Sequence, residues 1–156
     1  MPLDDIAQWQ AHMWVDYRNE LLAVGFTSES ADANIERHQK ALFSDGVPNA
    51  DQHVLEVWCD EDRVGFLWLA KGYSLGDPDH WYVYDIVIFP EFRGRGWGRD
   101  AMLAGEEYAA SRGGTQLSLN VWGHNTVARS LYESLEFVPV AIEMRKTIGP
   151  QLGDRS

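Results

Sequence analysis

The chain has 156 residues, 45% of them hydrophobic and 12% aromatic, which is enough to bury a core as one domain. The formal net charge of −11 argues against a nucleic-acid binder, because such proteins neutralise phosphates with basic residues. One cysteine excludes an intramolecular disulfide, and with no signal-peptide pattern and no membrane-length apolar run we expect a cytoplasmic protein that does not enter membranes.

The first quarter of the chain predicts two helices. Residues 4–22 carry apolar side chains at spacings of three and four, which is typical of a helix with one buried face. A second helix is predicted from Thr27 or Ser28 to Phe43, since Asp-Gly at residues 45–46 and the proline that follows stop it.

The rest of the chain alternates strands and helices. Strands are predicted at residues 53–59, 64–70, 81–89, 115–121 and 137–144, the last interrupted by Pro139, and helices at residues 100–111 and 126–135. This order predicts an α/β (α+β) fold with a mixed sheet flanked by helices on both faces. We expect a single domain over residues 1–148 and a flexible tail over residues 149–156.

A glycine-rich loop follows the aromatic and β-branched strand at residues 81–89, in which Asp85 is the one exception to the pattern. A glycine turn that opens a helix presents unpaired N–H groups at the positive end of the helix dipole. The loop therefore predicts a site for the phosphates of a cofactor, with Asp85 near its reactive end. The glycines alternate with basic residues: Gly94, Gly96 and Gly98, with Arg93, Arg95 and Arg99.

The spacing excludes two common nucleotide loops. The dinucleotide-fold fingerprint requires a third glycine where this chain has Arg99, and the Walker A loop requires a Gly-Lys-Ser/Thr ending that is absent here. The spacing that remains is Arg93-x-x-Gly96-x-Gly98, between a strand and a helix.

Two segments resemble the GNAT superfamily of N-acetyltransferases. Residues 86–98 resemble its acetyl-CoA-binding motif, Gln/Arg-x-x-Gly-x-Gly/Ala after a strand, and residues 125–137 resemble its second motif, Asn-x-x-Ala-x-x-Leu-Tyr-x-x-x-Gly-Phe. The order of helices and strands is similar over nearly the whole chain. The resemblance implies the GNAT-like acyl-CoA N-acyltransferase fold, with a central, mostly antiparallel sheet.

The chain departs from that family in three places. Glu136 stands where the second motif has glycine, so the turn before Phe137 either holds a left-handed residue other than glycine or takes another shape. Only Pro2 and Leu3 precede the first helix, so the family's first strand is expected to be absent. After the last helix the sequence predicts one strand, whereas the family has two.

The resemblance implies transfer of an acetyl group from acetyl-CoA, without a metal, to a primary amine of a small-molecule or peptide acceptor. It also makes a homodimer possible. In the family the pantetheine arm lies along the motif strand, and the pyrophosphate lies in the loop. The cofactor-binding residues implied are Ile86, Val87, Ile88, Arg93, Gly94, Arg95, Gly96, Trp97, Gly98, Arg99, Asn125 and Tyr132.

Four residues have two interpretations each. Tyr132 matches the family tyrosine that protonates the departing thiolate, or it is a core tyrosine. Asp85 is the first candidate for the base, or it makes a buried structural hydrogen bond. His124 is the second candidate, or an exposed turn histidine. Asn125 caps a helix, binds the cofactor, or does both.

The alternative to an enzyme is a non-catalytic acyl-CoA-binding or interaction module with the same fold. Such a module would bind the cofactor, but no turnover would depend on Asp85 or Tyr132.

Overall fold

A computed structural model describes residues 3–72, 77–146 and 148–149. Within these residues the helices are α1 (Leu3–Ala23), α2 (Ser28–Leu42), α3 (Trp97–Ala110) and α4 (Thr126–Ser134). The strands are β1 (Phe43–Ser44), β2 (Val47–Pro48), β3 (Gln52–Cys59), β4 (Asp62–Lys71), β5 (His80–Ile88) and β6 (Gln116–Leu119), and a 3-10 turn spans Pro90–Phe92. No helix in this part of the chain is long and apolar enough to cross a membrane.

The central sheet has the order β3-β4-β5-β6. The β3–β4 and β4–β5 pairs are antiparallel, whereas β6 is parallel to β5. The mixed, mostly antiparallel sheet predicted from the sequence is therefore confirmed.

Helices cover both faces of the sheet, because successive residues of β4 point to opposite sides. Phe66 and Trp68 belong to one core cluster, with Ile6, Trp9 and Met13 of α1 and with Phe43. Leu67 and Leu69 belong to a second cluster, which contains Met102 and Ala109 of α3. The sheet thus lies between two apolar layers and contributes side chains to both.

The short hairpin of β1 and β2 was not predicted. Phe43 pairs with Pro48 and Ser44 with Val47, around Asp45 and Gly46, which both have positive φ angles of 52° and 77°. An Asp-Gly pair in this conformation is a typical two-residue hairpin turn. The sequence interpretation used the pair only as a helix stop and missed the hairpin that it also favours.

The predicted last strand, residues 137–144, is wrong for the single chain. This segment forms neither helix nor strand, and every described residue from Val138 onward is exposed. Alternating apolar residues favour a strand, but a strand also needs a neighbouring edge, and no described residue of this chain pairs with the segment. Pro139 further removes one donor from any ladder.

Three further expectations concern the first strand, the C-terminal tail and the start of the third helix. Leu3 is the first residue of α1 rather than part of a strand, and Met1 and Pro2 lie outside the described residues. The tail predicted over residues 149–156 also lies outside them, apart from Gly149. The helix predicted from residue 100 begins earlier, at Trp97.

Glu136 adopts the left-handed conformation, with φ of 68°, which is one of the two shapes expected at this position. The turn is closed by the N–H of Phe137, which donates to the carbonyl oxygen of Tyr132 at 3.0 Å. Glycine is the usual residue at such a helix end because it has no Cβ to crowd the backbone.

Replacing Glu136 by glycine should therefore stabilise the protein. We expect Glu136→Gly to raise the free energy of unfolding by up to about 1 kcal/mol, since it relieves left-handed strain. Ser130→Gly, at an exposed position inside α4, should lower it by about 0.5 kcal/mol. Urea denaturation measures both, and a loss of stability in Glu136→Gly would contradict the assignment of strain.

Candidate active site

The strands β5 and β6 pair over only the first part of β5 and then separate. On one side, β5 pairs with β4 from Trp81 to Ile88, but on the other its pairing with β6 ends at Val83, opposite Leu119. Residues 85–88 therefore have no strand neighbour on that side among the described residues. Their outward N–H and C=O groups form an edge to which an extended molecule can add as a strand.

The predicted pantetheine-binding residues Ile86, Val87 and Ile88 lie on this open edge of β5. Their opposite side is closely held by β4. A Cβ at Gly65 would collide with the carbonyl oxygen of Val87, so only glycine lets β4 pack this closely. The open edge therefore belongs to a strand that is fixed from behind.

A bulge lies where the strands separate. Trp68 pairs with Asp85 and Leu69 with Val83, so Tyr84 is an extra residue in β5. Bulges bend a strand and re-aim the side chains beside it. This irregularity places Asp85 at the start of the open edge.

Asp85 has an unusually basic carboxylate. Burial raises its pKa to about 6, the negative charge of Asp16 adds to the rise, and a hydrogen bond from the backbone N–H of Ile86 opposes it. Asp85 therefore changes protonation state close to neutral pH, as a catalytic base must.

Tyr132 of α4 shares the surroundings of Asp85. Burial raises the pKa of the Tyr132 hydroxyl, and the charge of Asp85 raises it further. Its ring packs against Phe137, with centroids 5.9 Å apart, and joins the core cluster that includes Ile86. The fold thus brings the two catalytic candidates together from residues 47 positions apart, and Tyr132 is a packing residue as well.

The glycine loop opens α3 as the sequence predicted. Gly94 and Gly96 have φ angles of 73° and 89°, and Gly96 is the N-cap residue. The N–H groups of Arg99 and Asp100 bond to the carbonyl oxygen of Gly96, at 3.0 and 3.1 Å. The two preceding amides, of Trp97 and Gly98, have no helical partner and lie at the positive end of the helix dipole.

The arginines of the loop differ in their contacts. Arg93 donates from Nε to the carbonyl oxygen of Ile88 at 2.9 Å, and Arg99 donates from Nη1 to Ser134 Oγ at 2.7 Å. In the part of the chain that the structure describes, Arg95 makes no side-chain hydrogen bond or ion pair, and it is exposed. Within the described residues Arg95 thus has its whole guanidinium available to a ligand, whereas Arg93 and Arg99 each use one nitrogen for these contacts.

The remaining loop residues lie close to the open edge. A Cβ added to Gly98 would lie 3.6 Å from Leu131 and 3.9 Å from Ile88, so this glycine sits between α4 and β5. Trp97 is half-buried, and its indole Nε1 is buried without a hydrogen-bond partner among the described residues.

Asn125 is the N-cap residue of α4, which is one of the two roles expected for it from the sequence. Its Oδ1 accepts a hydrogen bond from the N–H of Ala128 at 3.1 Å. A role in binding the cofactor stays a prediction.

His124, the second candidate for the base, is exposed and paired elsewhere. Its Nε2 lies 3.1 Å from Glu20 Oε2 of α1. Among the described contacts none joins it to Asp85 or Tyr132, so the exposed-turn interpretation is the better one.

Asp16 is a residue that the sequence analysis missed. It lies on the exposed side of α1, and its charge reaches Asp85, 69 positions later. Nothing in the local pattern of α1 marks it, because only the packing of α1 on the sheet brings the two carboxylates within range.

Comparison with known proteins agrees with this geometry. A model of the acetyltransferase (GNAT) family matches residues 5–137. The chain belongs to the acetyltransferase (GNAT) family. The resemblance, the fold and the enzyme class expected from the two motifs are confirmed.

Two GNAT relatives illustrate the range of similarity. The uncharacterized N-acetyltransferase YycN of Bacillus subtilis is 31% identical over 118 residues, which are 70% of this chain and 72% of that protein. The mycothiol acetyltransferase of Rhodococcus erythropolis is 39% identical over 108 residues, but these are 60% of this chain and only 36% of that larger protein.

Solved structures give the same GNAT fold. The crystal structure of YycN matches with a TM-score of 0.84 and 26% identity, over 95% of both chains. The structure of AAC(6')-Iy with the bisubstrate analogue CoA-S-monomethyl-acetylneamine matches with a TM-score of 0.53 and 18% identity, over 80% of this chain and 83% of that one. At that identity the second likeness concerns the fold alone.

The raised pKa of Asp85 predicts a pH-dependent effect of Asp85→Asn on stability. The pKa in the folded state lies above the unfolded value of 3.8, so ionisation destabilises the fold as pH rises from about 4 to 6. Between pH 4.5 and 7.5 the stability of Asp85→Asn relative to the parent should increase by about 2 kcal/mol. Urea denaturation at both pH values measures the difference.

Asp32→Asn provides the matched control. The hydrogen bond from Arg18 lowers the pKa of Asp32, so that carboxylate titrates below the tested range. Its relative stability should therefore stay constant from pH 4.5 to 7.5. A constant difference for Asp85→Asn as well would contradict the raised pKa.

Proposed function

We propose that this protein transfers an acetyl group from acetyl-CoA to a primary amine by direct attack of the amine on the thioester. The observation that carries the proposal is the open edge of β5, which runs from the glycine loop to Asp85. Ile88 and Asp85 are three residues apart, which is about 10 Å along a strand. An extended thioester anchored at the loop would direct its acyl end towards Asp85.

The anchor suits a pyrophosphate. The N–H groups of Trp97 and Gly98 at the start of a 14-residue helix are donors for an anion, and the side chain of Arg95, which has no hydrogen bond or ion pair within the described residues, supplies a positive charge nearby. Arg93 and Arg99 hold the loop against β5 and α4. The donor site would thus be fixed before the cofactor arrives.

The arm of the cofactor suits the backbone of β5. Amide groups of pantetheine can hydrogen-bond to backbone groups of residues 85–88 that face away from β4, other than the Ile88 carbonyl oxygen, which accepts from Arg93. Such pairing requires no particular side chain. Two solved structures of the same fold support a CoA donor: AAC(6')-Iy with its CoA-containing analogue, and a Bacillus subtilis acetyltransferase in complex with CoA, TM-score 0.51 and 14% identity.

The reaction begins with loss of a proton from the amine. A free primary ammonium has a pKa of about 10, so the acceptor arrives protonated at neutral pH. Asp85, with a pKa of about 6, is mostly ionised at pH 7.5 and accepts this proton, directly or through a water molecule. The neutral amine then attacks the thioester carbon in a site where both reactants are held in place.

Tyr132 then donates a proton to the leaving sulfur. As the new C–N bond forms and the C–S bond breaks, the sulfur takes up negative charge and accepts the proton of the Tyr132 hydroxyl. The raised pKa makes this hydroxyl a weaker acid than a free tyrosine, so it stays protonated in the resting enzyme and gives up its proton only as negative charge develops on the sulfur. The proton lost by the nitrogen restores the tyrosine, and Asp85 releases the proton it took from the ammonium to solvent. The products are an amide, a free thiol and one proton.

The function is tested by thiol release from acetyl-CoA with a panel of amines: polyamines, aminoglycosides, amino acids and basic peptides. We expect release above the hydrolysis background with at least one class. With that acceptor, Tyr132→Phe should lower kcat by a factor on the order of 10 to 1,000, while calorimetry still detects binding of acetyl-CoA.

Tyr108→Phe is the matched control, because Tyr108 lies on α3 and its hydroxyl contacts His53 rather than the open edge. Its kcat should stay within about twofold of the parent. If acetyl-CoA binds but no amine of the panel causes thiol release above the hydrolysis background, the non-catalytic acyl-CoA-binding module would be favoured instead.

A further inference from the structure

The second half of α1 crosses the sheet beside the open edge of β5. Trp14 of α1 packs against Trp68 of β4, with ring centroids 6.4 Å apart, and Trp68 is the strand partner of Asp85. Further along α1, Glu20 Oε2 lies 3.1 Å from Nε2 of His124, in the connection between β6 and α4. This part of α1 therefore reaches from β4, on one side of Asp85, to the loop that follows β6, on the other.

Asp16 lies on α1 between these two contacts. Its side chain is exposed, and within the described residues it forms no hydrogen bond or ion pair. Burial is the main cause of the raised pKa of Asp85, and the negative charge of Asp16 raises it further, so the two carboxylates lie within electrostatic range. Because like charges held near each other reduce stability, the described part of the chain offers no structural reason for a carboxylate at this position.

The two ends of the open edge differ in charge. Three arginines lie within residues 93–99, which suits the phosphates of an anionic cofactor. The other end carries the two carboxylates. Basic residues of the neighbouring helices have carboxylate partners of their own, since Arg18 pairs with Asp32 and Arg129 with Glu133. The α1 end of the site therefore favours a cationic molecule, as the loop end favours an anionic one.

We infer that Asp16 determines which amines are acetylated, by binding a second positive charge on the acceptor. The acceptor class is then a short, unbranched diamine or polyamine. One ammonium loses its proton to Asp85, and the other stays charged beside Asp16. The second ammonium takes no part in the bond changes, so the products remain an amide, a free thiol and one proton. This inference rests on the proposed function, because it names the acceptor of that reaction.

Three features favour a linear diamine over other amines. Asp85 is only partly exposed in β5, so the reacting nitrogen has to arrive at the end of a narrow chain. An amino acid would bring its own carboxylate towards Asp16 and Asp85, and the like charges would repel it. In a basic peptide the second charge lies on another side chain, farther from the reacting nitrogen than the few methylene groups of a diamine place it.

Kinetics with cadaverine and pentylamine test the inference, because both carry the reacting amine on the same unbranched chain and differ in the second charge. For the parent enzyme we expect kcat/KM for cadaverine to exceed that for pentylamine by about tenfold or more. Asp16→Asn should reduce this ratio about three- to tenfold. The ratio is the readout because Asp16→Asn also removes one cause of the raised pKa of Asp85, which affects both amines alike.

Glu61→Gln is the matched control, since it removes the same charge at an exposed residue of the turn between β3 and β4. Its ratio should equal that of the parent, because a distant exposed charge is screened by salt. Thiol release with equal kcat/KM for the two amines, or a ratio that Asp16→Asn leaves intact, would overturn the inference while the proposed function stands. A higher kcat/KM for a lysine peptide than for cadaverine would overturn it too, in favour of a polypeptide acceptor.

Calorimetry separates failure of the inference from failure of the proposed function. Cadaverine titrated into the protein in excess CoA should bind more tightly than pentylamine, and Asp16→Asn should weaken cadaverine binding about three- to tenfold. If no amine releases thiol but this difference in binding is found, the proposed function fails and the selectivity of Asp16 stands. If the two amines bind alike, the inference fails whether or not thiol is released.

Discussion

The separation of β5 from β6 after Val83 and Leu119 is the feature on which the rest of the site depends. A strand paired on both sides offers no backbone to a ligand, whereas residues 85–88 pair with a strand on one side only within the described part of the chain. The close contact of Gly65 with Val87 fixes that strand from behind. The glycine loop at one end and Asp85 at the other then define the direction in which a bound cofactor would lie.

Two residues near this open edge reduce the stability of the folded protein. Asp85 is buried enough for its pKa to reach about 6, so its ionised form costs stability near neutral pH. Glu136 is held in a left-handed conformation at the end of α4, the helix that carries Tyr132. Such costs persist where the surrounding structure over-determines them, and they concentrate at functional sites.

Local signals in the sequence pointed to most of the residues of the candidate site. Spacing identified the loop from Arg93 to Gly98, and residue type identified the Asn125 cap and the unusual position of Asp85. The separation of the strands, the bulge at Tyr84 and the influence of Asp16 could not be predicted, because each depends on strand register or helix packing. The last strand failed for the opposite reason: its pattern is present, but a strand also requires a paired neighbour, and no described residue of the chain pairs with this segment.

Amide hydrogen exchange with and without CoA tests the central claim most directly, because it reports the backbone groups that we expect the cofactor to occupy. The account predicts slower exchange in peptides that cover residues 85–88 and 94–98. A peptide from α2 covering the shallow depression lined by Ala33, Glu36, Arg37, Lys40 and Ala41 should exchange at an unchanged rate. Protection in that α2 peptide, with none along residues 85–88, would contradict the account.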